Sequence, residues 1–465
     1  YRTGDTVTIT MIRGGAITGR ITNSSGEPVI GIQVMATMVR DSDGVKTRPL
    51  GFGRSRQSDD RGIYRIYGLP AGAYVVSTRA AGSVGTLSAH DGDIPTYHPS
   101  STRETAGEVT VAAGSETRGI DIRYRGEQGH TVRGILAGGG DPSLPYAFTN
   151  VSLISLGGEM PAGYAGVSNQ DETGGFAIHG VMDGEYEIVA RRGGGSDSTG
   201  AASTPRRVVV KGADVGGIEL KLAPLAAISG KAILETSPNT CVDGRNASIE
   251  EVLIGMRVDS REAPVSNSFA GSGSAAPNEK GDFAFNGLPP TRYFIEPRLL
   301  HDDWYLKSVA APPAGRRAGT AAVAEVSRSG VSLKSGERLS GVTIRFAAGA
   351  AQLSGKVVAA TEGATLPLRM RLHLVPAEPA AADDVLRYAE ATTRGNSPFV
   401  FRNLAPGRYL ALARIVPDIE PANRPSLPAA LDAGERAKLR QDAEAKKNEI
   451  ELKPCQRMTD FAVKW

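Results

Sequence analysis

Gly62-Ile63-Tyr64-Arg65-Ile66-Tyr67-Gly68-Leu69-Pro70-Ala71-Gly72-Ala73-Tyr74 is one of four copies of a single phrase in this chain of 465 residues. The second is Gly175-Phe176-Ala177-Ile178-His179-Gly180-Val181-Met182-Asp183-Gly184-Glu185-Tyr186. The third is Asp282-Phe283-Ala284-Phe285-Asn286-Gly287-Leu288-Pro289-Pro290-Thr291-Arg292-Tyr293, and the fourth Pro398-Phe399-Val400-Phe401-Arg402-Asn403-Leu404-Ala405-Pro406-Gly407-Arg408-Tyr409. The step from Tyr64 to Tyr74 is 10 residues, and it is the same from Phe176 to Tyr186, Phe283 to Tyr293 and Phe399 to Tyr409. Repetition at a fixed phase means one small module used several times. It points away from an enzyme.

Each copy alternates apolar and polar residues, turns, and resumes on an aromatic. Tyr64 and Ile66, Phe176 and Ile178, Phe283 and Phe285, and Phe399 and Phe401 stand two apart, which places each pair on one buried face of a strand. Gly-Leu-Pro-Ala-Gly breaks that strand, because Pro fixes φ and Gly tolerates positive φ. The spacing predicts a β-hairpin with a loop of about five residues. The eight aromatics at 64, 74, 176, 186, 283, 293, 399 and 409 read as core anchors. The hydroxyl of the closing Tyr is expected to bond the turn backbone, as in a tyrosine corner.

A second phrase opens every module: Ile17-Thr18-Gly19-Arg20, Val132-Arg133-Gly134-Ile135, Ile228-Ser229-Gly230-Lys231 and Leu353-Ser354-Gly355-Lys356. A third closes it: Gly119-Ile120-Asp121-Ile122, Gly217-Ile218-Glu219-Leu220, Gly341-Val342-Thr343-Ile344 and the terminal Phe461-Ala462-Val463-Lys464-Trp465. Successive opening glycines lie 115, 96 and 125 residues apart, the size of one sandwich domain. Four modules are therefore expected at 13–126, 127–224, 225–348 and 349–465.

Together the phrases resemble the carboxypeptidase regulatory-like family. The residues that carry the likeness are the opening Ile-Thr-Gly-Arg with Pro28-Val29-Ile30-Gly31-Ile32-Gln33-Val34, then Asp60-Arg61-Gly62-Ile63-Tyr64 and Gly-Leu-Pro-Ala-Gly-x-Tyr. Modules two and three depart from it at Val181-Met182-Asp183 and Pro290-Thr291. The resemblance implies an all-β chain of four tandem Ig-like or transthyretin-like sandwiches, about seven strands each. Such modules serve as spacers, stalks and assembly units on unrelated proteins, so the fold leaves function open.

With 57 Gly, 28 Pro and only 6 % aromatic residues, the chain suits turn-rich sandwiches with thin cores. The 53 basic residues nearly balance the 50 acidic ones, for a net charge of +3, so no nucleic-acid partner is implied. No apolar run reaches the roughly 18 residues a membrane span needs. An opening Tyr1 without initiator Met reads as a processed chain, and the expected location is extracellular or at a bacterial cell surface.

The six His form no His-x-x-Glu or His-x-x-x-His pair, and no nucleophile elbow, phosphate loop or dinucleotide fingerprint occurs. No catalytic residue, metal site or cofactor is expected. Lys231 and Lys356 occupy the strand in which Cna-type repeats form Lys–Asn isopeptides, but Arg20 and Arg133 stand there in the first two modules and cannot react so. Asp41-Ser42-Asp43-Gly44 lacks the bidentate Glu of a calcium loop and reads as a turn. A helix is predicted at about 430–447, with Asp432 as N-cap, a mostly Ala stripe and a solvated charged face.

The two Cys, Cys241 and Cys455, suffice for one disulfide in an oxidising compartment, which would staple modules three and four. Residues 1–12 hold a fifth closing-type strand whose module is absent. Its alternating Val7, Ile9 and Met11 are expected to be donated to a sheet edge of the next subunit. Three readings of function follow: a structural or adhesive subunit of a head-to-tail fibre, the stalk of a larger secreted enzyme or outer-membrane receptor, or an array binding surface glycans.

Overall fold

The computed structural model describes residues 6, 8, 11–44, 46, 54–79, 90, 92–138, 149–156, 164–168, 174–193, 200–235, 241, 247–259, 261, 274–313, 323–361, 364–416 and 428–465. Among the described residues the chain is all-β with one α-helix, near the C-terminus. It divides into two compact units, Tyr1–Arg192 with Ala202–Leu222, and Gly193–Ala201 with Ala223–Trp465.

In the first unit, the first repeat contributes β1 (Gly15–Thr22), β2 (Gln33–Asp41), β3 (Arg54–Gln57), β4 (Ile63–Leu69), β5 (Gly72–Arg79), β6 (Glu108–Val111), β7 (Glu116–Thr117) and β8 (Ile122–Arg123). They form two sheets, β4-β1-β7 with β8 also on β1, and β3-β2-β5-β6. Ile17, Ile21, Val34, Tyr64, Ile66, Tyr74, Val76 and Ile122 fill the core between them. The second repeat contributes β9 (His130–Gly138), β10 (Thr149–Ser155), β11 (Tyr164–Ser168), β12 (Gly175–Val181), β13 (Gly184–Arg192), β14 (Ala201–Ser203), β15 (Arg206–Val210) and β16 (Val215–Pro224). Here short β14 joins the layers into one sheet, β11-β10-β13-β14-β16-β9-β12, with β15 on β13.

In the second unit, the third repeat contributes β17 (Ala226–Glu235), β18 (Val252–Val258), β19 (Ser274–Ala275), β20 (Asp282–Leu288), β21 (Arg292–Leu299), β22 (Trp304–Ala311), β23 (Ala324–Glu325), β24 (Val331–Ser332) and β25 (Arg338–Ala348). Its sheets are β20-β17-β25-β22-β23 and β19-β18-β21-β24. The fourth contributes β26 (Ala351–Val358), β27 (Arg369–Pro376), β28 (Ala389–Arg394), β29 (Phe399–Leu404), β30 (Gly407–Ile415), α1 (Ala433–Lys446), β31 (Glu449–Leu452) and β32 (Arg457–Lys464). Its sheets are β29-β26-β32 and β28-β27-β30-β31.

The repeated phrase does not make a hairpin. Its first strand pairs with the opening strand, as β4 with β1, β12 with β9, β20 with β17 and β29 with β26. Its second strand pairs instead with the strand after the opening one, as β5 with β2, β13 with β10, β21 with β18 and β30 with β27. The phrase is thus an arch that carries the chain across the core. The turn residues explain why. Gly68, Gly180, Gly287 and Asn403 all adopt positive φ, between 55° and 72°, and the pairing slips there, so that Leu69 faces Gly15 but Tyr67 faces Ala16. A bulge at this point bends the strand out of its ladder, and the following residues rise to the opposite layer.

Opening and closing strands pair in parallel in every repeat: β1 with β7 and β8, β9 with β16, β17 with β25, and β26 with β32. Helix α1 begins at Asp432, whose Oδ1 accepts from the Gly434 and Glu435 amides at 2.9 and 3.0 Å. Its packing face differs from the Ala stripe expected. Leu439 and Ala443 seat on Val375, Leu410 and Leu412, and Arg436, expected among the solvated charges, is buried. Its guanidinium donates to Ala430 O at 2.7 Å and to Asp383 at 2.8 Å, which is what lets a charge sit inside.

Candidate functional site

The four closing tyrosines repeat one contact. Tyr74, Tyr186, Tyr293 and Tyr409 donate their hydroxyls to the carbonyl four residues earlier, on Pro70, Met182, Pro289 and Ala405, at 2.8, 2.8, 2.8 and 2.6 Å. All four rings are buried, and burial pushes the pKa of the Tyr74 and Tyr186 hydroxyls up to about 12. Those two are neutral donors at physiological pH, and each of the four hydroxyls braces its arch from within. Tyr64, Phe176, Phe283 and Phe399 are buried too, and they stand directly across from the opening glycines Gly19, Gly134, Gly230 and Gly355.

Those glycines are required by close approach. A Cβ on Gly19, Gly134, Gly230 or Gly355 would strike the carbonyl of Ile120, Ile218, Val342 or Phe461. Each of those carbonyls follows a residue of positive φ, namely Gly119, Gly217, Gly341 and Asp460. The left-handed residue swings the next carbonyl onto the opening strand, and only a residue without a side chain leaves room for it. Lys231 and Lys356, next to two of these glycines, face solvent. Asp41 makes a turn rather than a cation loop, its Oδ1 accepting from the Asp43 amide at 3.0 Å.

The second unit contains a joint between the third and fourth repeats. Gly349 and Ala350 alone separate β25 from β26. Their amides both donate to Asp303 O, at 2.9 and 3.0 Å. The loop after β21 is gripped from the fourth repeat: Asn403 Nδ2 donates to His301 O and Trp304 O, each at 2.8 Å, and Arg402 pairs with Asp302 at 2.8 Å. Arg457 reaches Asp303 at 3.4 Å. Cys241 and Cys455 are joined across this joint, with 2.07 Å between sulfurs and 5.3 Å between Cα atoms. Ion pairs join the two repeats as well: Arg261 spans from buried Asp259 to Asp432, and Asp383 receives both Arg328 and Arg436. Sequence reading found the cysteines but missed Asn403. Its signal was the replacement of a glycine that the other three copies hold at that place.

Of the expected strand donors, Val7 and Ile9 lie outside the described residues. Met11 is 88 % exposed, and Thr6, Thr8 and Met11 lie in no strand. Among the described residues no three His, Cys, Asp or Glu side chains are grouped so as to hold a metal ion, and no helix is long and apolar enough to cross a membrane.

No protein-family model matches the chain, and no curated protein matches it. Among solved structures it is similar to the Bacillus anthracis TIE protein, with 10 % identity over 93 % of this chain and 68 % of that one, at a TM-score of 0.17. It is similar to a streptococcal ancillary pilin, with 10 % identity over 72 % of this chain and 99 % of that one, at 0.20. The RrgB pilus protein from Streptococcus pneumoniae gives 10 % identity over 87 % and 91 %, at 0.16. Likeness at that level decides nothing about function, which has to be argued from the residues.

Proposed function

We propose that this chain is a non-catalytic structural protein of the bacterial cell surface, a fibre subunit of four sandwich modules at 13–126, 127–224, 225–348 and 349–465. The observation that carries the reading is the joint between the third and fourth repeats. Backbone hydrogen bonds, ion pairs and a disulfide all cross it. Such a joint resists bending between neighbours, which serves a load-bearing strut. Assembly is head-to-tail, by donation of the strand holding Val7, Ile9 and Met11 to the next subunit. The exposure of Met11 and Ile12 supports this, since an apolar pair left in water gains by finding a partner. A donor and an acceptor on different surfaces make a heterologous contact that need not close, and repetition gives a filament.

Electron micrographs of the purified chain and of the chain lacking residues 1–12 test the proposal. Threads from the first and dispersed particles from the second are expected. Equal threads from both would discard strand donation.

A further inference from the structure

In the first three repeats, the segment that follows the arch's second strand covers the outer edge of the closing strand. In the first repeat Arg123 N donates to Pro99 O at 2.8 Å, and Ser100 Oγ donates to Arg123 O at 2.8 Å. In the second, β14 lies beside β16. In the third, β22 runs antiparallel along β25 from Trp304 opposite Ala348 to Ala310 opposite Thr343. The fourth repeat breaks the pattern. Its corresponding segment makes α1, which packs on β27 and β30 in the other sheet. Among the described residues β32 pairs with β26 alone.

One device guards the end of that edge. Asn448 accepts from Lys464 N at 3.2 Å and donates to Lys464 O at 3.0 Å, so Lys464 directs its backbone groups away from β26. Trp465 bonds the other way, to Val358 O at 3.0 Å. By the two-residue period of a strand, Ala462 also points its N–H and C=O outward. On the core side of β32, Met458, Phe461 and Trp465 pack against the core but stay partly exposed. By register their counterparts in the third repeat are Leu339, Val342 and Phe346, all buried, with Val309 and Leu306 of β22 in the same cluster, whereas Val463 is as buried as its counterpart Ile344.

We infer that the outer edge of β32 is the acceptor for the donated strand, with residues 5–11 of a second copy taking the antiparallel place that β22 holds in the third repeat. The inference rests on the strand-donation reading. The donor is seven residues long against the eight of β32, and its Val7, Ile9 and Met11 supply an apolar face for Met458, Phe461 and Trp465. The other candidate occupant, residues 417–427 of the same chain, has no run of alternating apolar residues like Val7, Ile9 and Met11: its Ile419 and Leu427 stand eight apart, with Pro421, Asn423 and Pro425 between them on the same phase.

The test compares hydrogen exchange of the full chain before and after assembly, together with assembly of Ala462→Pro. This substitution removes an outward N–H while leaving the β26 side alone. Exchange of the outward Ala462 amide should slow on assembly, and Ala462→Pro should raise the concentration needed for filaments by about tenfold or more. Three results would overturn the acceptor site: protection of the Ala462 amide already in the unassembled chain, no change at it while 5–11 becomes protected, or filaments of Ala462→Pro forming as in wild type. Filaments that persist after deletion of residues 1–12 would instead overturn the donation reading itself.

Discussion

Phe283 lies directly opposite Gly230 in the antiparallel pair of β20 with β17, its ring covering the place where a side chain would stand. A Cβ at Gly230 would meet the ring at 2.8 Å and, closer still, the Val342 carbonyl. Aromatic cover of a strand glycine stabilises a sheet at a point where glycine alone would weaken it. The same pairing in all four repeats makes it the unit of construction.

Gly230→Ala should therefore destabilise the third repeat by about 3 kcal/mol or more, the range for forced backbone displacement in a packed core. Gly216→Ala is the control, since nothing lies within 4 Å of its Cβ position, and it should leave stability almost unchanged. Urea unfolding of both variants followed by circular dichroism, which reports on both units, checks this; tryptophan fluorescence would not, because Trp304 and Trp465 both lie in the second unit and Gly216 in the first.

Asn403→Gly should separate the third repeat from the fourth without unfolding either. Glycine keeps the left-handed backbone that Gly68, Gly180 and Gly287 use, and only the bonds to His301 O and Trp304 O are lost. Calorimetry of the reduced protein should resolve the second unit into two transitions where the reduced wild type shows one. A single unchanged transition would refute the latch.

How far the sequence was legible follows from such residues. Period-two alternation and fixed spacing revealed the strands, the repeat and the buried aromatics, because those depend on local burial. The arch was misread as a hairpin because Gly-Leu-Pro-Ala-Gly is a turn in either case. What decides between them is which strand Tyr64 pairs with, and that partner, Gly19, is 45 residues distant. Arg436 was misplaced for a similar reason: its acceptors are the Ala430 carbonyl and Asp383, the latter 53 positions earlier. Cysteine count alone was enough to pair Cys241 with Cys455. The module boundaries and the donor strand remain proposals.

The disulfide should be measurable by mass. Alkylation without reductant should leave both cysteines unmodified, and alkylation after reduction should add two groups. The bond closes a sequence separation of 214, so in the chain-entropy account its loss costs about 5 kcal/mol where the unit unfolds as one. A fall in the melting temperature of Cys241→Ser/Cys455→Ser relative to wild type, absent from the first unit's transition, is the expected outcome.

Acid should weaken the fourth repeat through His373. Burial, with Arg414 and Arg371 adding repulsion, pushes the pKa of its imidazole down to about 4, and Glu390 at 3.8 Å does not offset this. The folded chain thus holds His373 neutral where the unfolded chain takes up a proton. Stability is full above the unfolded value of about 6.5 and declines as pH falls from there to about 4, by about 3 kcal/mol in all. His373→Gln should flatten the stability profile across that window. An unaltered slope in the variant would exclude His373 as its source.

Cys455 precedes Arg457, the first residue of β32, by two positions, and Cys241 follows the end of β17 by six. Tension applied along β32 therefore has two routes. One runs through the hydrogen bonds to β26, which can break singly and in succession. The other runs through a covalent bond into the central region of the third repeat's larger sheet. Under pull the second route limits how far the first can open, so the fourth repeat can be strained without its last strand being stripped away. Oxidation state then sets the breaking force of the chain as well as its melting temperature.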